Sequence, residues 1–174
     1  FSVCGDGVVS GDEVCEGSGG SGLGCDPETC QPKAPEGCAA YTKGDRVYLV
    51  CEDLVTWDEA HARCESYDAE MLSIESAEEQ DWLFAASSPP DQGYWANGTD
   101  TGSEGLWRTD AGVPVDYLPW CSLEPNGGTN ENCLQHYWSG INCPNDSYCE
   151  NGHHPVCEFT FYPDADGNGV SGAT

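Results

Sequence analysis

Trp120-Cys121-Ser122-Leu123-Glu124-Pro125-Asn126-Gly127-Gly128-Thr129-Asn130-Glu131-Asn132-Cys133, with Asn145-Asp146-Ser147-Tyr148-Cys149 a little further on, is the stretch on which the fold turns. Three carboxylates (Glu124, Glu131, Asp146) fall in it, with carboxamides among which Asn126 and Asn145 adjoin the acids, bounded by cysteines. Side chains this polar gain little by packing against one another, so an ion gives a physical reason for bringing them together. Calcium takes about 6–8 oxygen ligands at flexible geometry, whereas zinc favours imidazole and thiolate. The donor set suits Ca²⁺.

Working outward, the 174 residues leave room for one domain of ordinary size and a small appendage. Twelve cysteines in so short a chain imply a disulfide framework and an oxidising compartment. No Cys-x-x-Cys pair occurs, and the adjacent His153 and His154 read as solvated loop residues rather than ligands. The formal charge of −26, from 5 basic and 31 acidic residues, would repel phosphate backbones and anionic lipid surfaces. Nucleic acid and membrane insertion are therefore not expected, and no apolar run approaches the roughly 20 residues of a membrane span. No signal peptide is present, as in a mature secreted chain.

Residues 1–37 are rich in Gly, Ser, Asp and Glu, so Cys4, Cys15, Cys25 and Cys30 must do the work of a core. The run from Cys4 to Glu16 looks like a cysteine-rich repeat of bacterial extracellular proteins, and Pro32–Gly37 reads as a linker. Four cysteines allow three pairings, all of them open at this point. Next, Gly44-Asp45 suits a type II′ hairpin turn, with Cys38 and Cys51 placed symmetrically about it for a cross-strand bridge. Thr56 with Glu59 makes a capping box, after which Trp57, Ala60, Cys64 and Tyr67 recur at helical spacing. Ser76 with Glu79 starts a second helix that Pro89-Pro90 must stop. His61 on the first helix reads as a surface or edge residue. From Tyr94 to Asn132 periodicity is lost, and a loop of that length in a compact domain is usually functional. Residues 161–174 read as an acidic, Gly-rich linker, although Asp164-Ala165-Asp166-Gly167-Asn168 has the start of a calcium loop. Asn97-Gly98-Thr99 and Asn145-Asp146-Ser147 match glycan acceptors, the second being expected unmodified because it overlaps the ligands.

Glu124-Pro125-Asn126, Glu131 two residues before Cys133, Asp146 three before Cys149, and Cys157-Glu158 behind a helix bearing Cys64 together resemble the C-type lectin domain. The resemblance covers roughly Cys38 to Phe159, and residues 38–160 are the expected domain, between the appendage 1–37 and the tail 161–174. It implies an α+β fold with two helices, small antiparallel sheets and a long calcium-binding loop. It also implies the pairs Cys64–Cys157 and Cys133–Cys149. Cys121 and Cys143 remain, and a bridge between them would pin the long loop beside the ion. Where the family usually has Trp, Pro144 stands here, and it removes a strand donor that only an edge or bulge tolerates.

The resemblance further implies one Ca²⁺ held by Glu124, Asn126, Glu131, Asn145 and Asp146, with a carbonyl from Asp146 and a cis bond before Pro125. Two vicinal sugar hydroxyls would then reach the ion while contacting Glu124, Asn126, Glu131 and Asn145. Glu-Pro-Asn is similar to the version that takes mannose, fucose or N-acetylglucosamine. Asp100 and Glu104 lie where the family places ligands of an auxiliary calcium, although Gly127 and Asn132 stand where acids would help. The expected function is a secreted or cell-surface, calcium-dependent lectin, with multivalency through several copies. Its alternative is a lectin-like module that binds protein or ice, with calcium only structural. No catalysis is expected: Gly-x-Ser-x-Gly and His-Glu-x-x-His are absent, and Glu124 and Glu131 as calcium ligands would stay ionised.

Overall fold

The computed structural model describes Glu28, residues 33–162 and residues 170–172. The expectations for Cys4, Cys15, Cys25 and Cys30, and for Asp164–Gly169, lie outside the described residues.

Strands β1 (Cys38–Lys43) and β2 (Arg46–Cys51) form the hairpin, with Cys38 directly opposite Cys51 and bonded to it. Gly44 turns the chain at φ 63°, a backbone state that glycine adopts without strain. Helix α1 (Trp57–Ser66) begins with the full capping box, and it buries Trp57, Ala60 and Cys64. Cys64 is joined to Cys157 of β7 (Val156–Tyr162). After the short β3 (Glu70–Met71), α2 (Ala77–Ser87) is capped by Ser76 and ends at Ser88, in the left-handed region just before Pro89.

Two antiparallel sheets carry these elements. The larger has the order β1-β2-β7-β3, with β8 (Val170–Gly172) added on β7; the smaller is β4 (Tyr94–Thr99), β5 (Cys133–His136) and β6 (Pro144–Ser147). Buried indoles tie the smaller sheet to α1 and to the segment before it. Trp57 Nε1 donates to the Ala96 carbonyl at 2.9 Å, and Trp95 Nε1 donates to the Val55 carbonyl at 2.7 Å. Each thereby satisfies its polar atom while burying a large ring, which is the condition for placing Trp in a core. Around them pack Val47, Leu49, Cys64, Met71 and Cys157, and a second cluster holds Tyr48, Leu72, Leu83, Tyr94, Tyr137 and Val156.

Several expectations are corrected. Tyr94–Thr99, read as the start of a loop, is a strand, because its buried residues find partners on β5. Part of the C-terminal stretch read as linker is strand too, since β7 runs to Tyr162 and Val170–Gly172 pairs with it. His153 and His154 are not solvated. His153 is buried edge-on against Trp95 with ring centroids 4.3 Å apart, and His154 Nδ1 lies 3.1 Å from the Cys51 carbonyl. His61 sits half-buried at an edge, stacked on Trp57 and 2.7 Å from Asp110. Asn97, matched as a glycan acceptor, is buried with both amide atoms bonded to Asp110, which leaves no room for a glycan. Pro144 begins the edge strand β6, the position where a missing donor does no harm.

Arg46 ties β2 to α2 through Glu75 at 2.8 Å and Glu79 at 3.3 Å, and Tyr48 Oη donates to Glu79 at 2.6 Å. Glu158 on β7 keeps some surface, but its Oε2 is enclosed and takes no hydrogen bond. Burial, with the charge of Glu79, pushes its carboxyl up to about 8 against a partial offset from Arg46. A raised carboxyl value means that the folded chain holds a proton the unfolded chain has released. Stability should therefore fall as pH rises from about 4.5 to about 8 and level off above that. Denaturant titrations of Glu158→Gln should show this fall flattened; an unchanged slope would place the effect elsewhere.

Candidate functional site

The loop that carries Glu124 is fastened to β6 before it reaches the site. Cys121 is disulfide-bonded to Cys143, and its amide donates to the Pro144 carbonyl at 2.9 Å. A turn closes from the Glu124 amide to the Cys121 carbonyl at 3.0 Å, with Leu123 at φ 78° and 88 % exposed. The Glu124–Pro125 peptide is cis, as expected. Beyond it, the backbone amides of Asn126 and Gly127 donate to the two carboxylate oxygens of Asp146 at 3.1 and 2.7 Å. Asp146 is itself buried on β6. One carboxylate thus joins the two quoted stretches.

Glu131 returns to this point through a 3₁₀ turn at Gly128–Asn130. Its side chain crosses directly over Gly127: a Cβ added there would lie 2.2 Å from Glu131 Cβ and 2.5 Å from Oε2. The glycine is required by that close approach. The same contact explains why an acid cannot stand at position 127.

Electrostatically, the three acids feel one another. Burial, then contact with Asp146, then the charges of Asp146 and Glu131 raise the Glu124 carboxyl above its ordinary value, and burial followed by the charge of Asp146 raises Glu131. Glu124 Oε2 is buried and accepts no hydrogen bond. An enclosed carboxylate oxygen among like charges is unfavourable unless a cation answers it, so hard oxygen donors and an orphaned lone pair fit Ca²⁺. Among the described residues, no three Asp, Glu, His or Cys side chains converge closely enough to hold a metal ion by themselves.

The two carboxamides stand differently. Asn126 is exposed, and Asn145 is half-buried, with its nitrogen 2.6 Å from the Asp146 carbonyl and 3.2 Å from Gln135 Oε1. At the auxiliary position, Asp100 is buried; its Oδ2 accepts from the Gly105 amide at 2.8 Å, while Oδ1 has no partner. Its own amide donates to the Asn132 carbonyl at 3.2 Å. Glu104 is exposed on the turn that Asp100 closes. The sequence reading missed Gly127's steric role and the buried pair Gln135 and His153, which meet at the Gln92 carbonyl. Gln135 alternates with Leu134 and His136 along a buried strand, and an amide in such a run was the one available signal.

Residues 53–159 match the family model of the Lectin C-type domain. The chain is 28 % identical over 131 residues to the Type-2 ice-structuring protein of Hemitripterus americanus, a match covering 74 % of this chain and 78 % of that one. Among solved structures it is similar to the calcium-independent type II antifreeze protein (29 % identity, TM-score 0.62, covering 73 % of this chain and 94 % of that one). It is also similar to the cow C-type carbohydrate-recognition domain of CD23 in the presence of GlcNAc2Man3 oligosaccharide (30 % identity, TM-score 0.61, covering 74 % and 96 %). The chain spans only 28 % of another relative, C-type lectin domain family 4 member M of Nomascus concolor.

Gly127→Ala should push Glu131 away from Glu124 and Asp146. The expected cost is about 1–3 kcal/mol of overpacking, with at least a tenfold loss of calcium affinity by calorimetry. Wild-type affinity in that variant would separate Glu131 from the site.

Proposed function

The chain belongs to the C-type lectin domain family, and on that premise we propose that it is a calcium-dependent lectin for mannose-, fucose- or N-acetylglucosamine-type sugars. One observation carries the reading: the enclosed, unpartnered oxygen of Glu124 lies in the field of Asp146 and Glu131. Glu124, Asn126, Glu131, Asn145 and Asp146 would hold the ion. Bound Ca²⁺ supplies open coordination positions to two vicinal hydroxyls. Glu124 and Glu131 would accept hydrogen bonds from the hydroxyls, while the amides of Asn126 and Asn145 would donate to the hydroxyl oxygens. Each hydroxyl must then coordinate, donate and accept at once, so the spacing and tilt of the diol select the sugar. Asp100 and Glu104 would supply an auxiliary ion with little help from Gly127 and Asn132.

Four disulfides among the described residues fit an extracellular setting, and none of these residues forms a helix long and apolar enough to cross a membrane. A single shallow site binds one sugar weakly, so useful avidity would come from several copies. No catalytic role is assigned, since the acids are accounted for as ligands and hydrogen-bond acceptors. The second reading, a protein- or ice-binding module with structural calcium and no sugar, is favoured by the likeness to a Type-2 ice-structuring protein.

A glycan array with calcium should show mannose-type sugars bound and the signal abolished by chelator, while thermal hysteresis without array signal would favour the second reading. Glu124→Gln with Asn126→Asp exchanges donor for acceptor and should move preference toward galactose; an unaltered profile would refute the assigned hydrogen bonds. The carboxyl values of Glu124 and Glu131 lie above the ordinary 4.5. Without a cation these groups favour the folded state at low pH and lose that contribution as pH rises through their raised values. Calcium must displace the same protons, so the calcium-induced rise in Tm should shrink as pH falls through that range. A rise in Tm that is constant down to pH ~4 would contradict this linkage.

A further inference from the structure

Asn145 faces Gln135 directly across the β5–β6 ladder. Gln135 is wholly buried, so its amide has no water to bond and its neighbours dictate its orientation. Its Nε2 donates to the Gln92 carbonyl at 2.6 Å, and that carbonyl also receives His153 Nδ1 at 2.6 Å. His153 is fixed from its other side, Nε2 lying 3.1 Å from Ser147 Oγ. A backbone carbonyl can only accept, so turning Gln135 over would set oxygen against oxygen. Gln135 Oε1 must therefore face β6, where it accepts from Asn145 Nδ2 at 3.2 Å. The same nitrogen donates to the Asp146 carbonyl at 2.6 Å. Asn145 consequently presents its nitrogen, not its oxygen, beside that carbonyl.

Ligation by Asn145 Oδ1 and the Asp146 carbonyl together requires the reverse orientation. We propose that Gln135 is a positioning residue that holds the Asn145 amide in a non-ligating orientation, so that calcium binding must break the Gln135–Asn145 hydrogen bond. This rests on the ligand set given under the proposed function. After a half-turn of the Asn145 amide, its oxygen would meet Gln135 Oε1, and Gln135 cannot turn in response because the Gln92 carbonyl holds its Nε2. The acceptor on Gln135 thus lowers calcium affinity. Polarity passes from one backbone carbonyl, through two amides, to the ligand.

Gln135→Met keeps the length of the side chain and removes the acceptor. Calorimetric titration with calcium chloride should show affinity rising about fivefold, the weight of one neutral hydrogen bond. A merely structural loss at a buried site would lower the affinity or leave it alone, and either result overturns the proposal. Without any cation, the Asn145 side-chain amide signals in a ¹⁵N spectrum should also shift between wild type and variant. If the variant folds poorly, the wild type suffices: on adding calcium, the Asn145 amide signals should move while those of Gln135 keep their chemical shifts. Static Asn145 signals, or a reorienting Gln135, would refute it. Calcium binding without methyl mannoside binding would defeat the lectin reading and leave this proposal standing; no calcium binding at all would defeat both.

Discussion

The two oxygens of Asp146, each taking one backbone amide from the Asn126-Gly127 turn, are the contact on which the site depends. Hydrogen bonds to an ionised acceptor are stronger than neutral ones, and here the acceptor is buried on a strand of the smaller sheet. Loop and strand therefore share one geometric reference. The Cys121–Cys143 bridge and the bond from Cys121 to Pro144 bring the loop to that reference from its other end. Between the two anchors only a few residues remain free, and Glu124 is among them. Its carboxylate is positioned largely by constraints on its neighbours, and one of its two oxygens is left without a hydrogen bond.

Two clusters of acid occur in the described residues, and the chain treats them differently. Around Glu75, Glu79 and Glu158 it places Arg46 and the Tyr48 hydroxyl, so part of the negative charge is answered from within. Around Glu124, Glu131 and Asp146 no ion pair is formed; every pair among the described residues lies elsewhere. With five basic residues against 31 acidic ones, cationic side chains are scarce, and no ion pair among the described residues reaches the second cluster. The contrast rests on the chain's own charges and so adds to the family likeness without repeating it.

Elements governed by local rules were legible in the sequence. The hairpin was set by Gly44-Asp45, α1 by Thr56 and Glu59, and α2 by Ser76 and Pro89, because turn and cap chemistry acts over three or four residues. The quoted ligand stretches were legible because their polarity has no packing explanation. Long-range assembly was not. His153 looked solvated because its partners, Trp95, Gln92 and Ser147, come from separate segments and meet only once the sheets close. Asn97 matched an acceptor motif that knows nothing of burial. Tyr94–Thr99 lacks alternation because nearly all of it is buried, the condition under which periodicity fails to mark a strand.

The relatives divide between sugar recognition and ice structuring on one backbone plan, so the choice between these functions lies in individual side chains. Three features of this chain bear on it. Glu131 lies across Gly127, which fixes one acceptor beside another at the cost of any acid at that position. Asp100 is committed to closing its own turn, which leaves only one of its oxygens for a neighbouring ion. Asn145, finally, is held through Gln135 by a backbone carbonyl that cannot change its polarity. The enclosed Glu124 oxygen and the amide set from the core would both serve the proposed lectin reading, in which the donors and acceptors of a diol must be told apart.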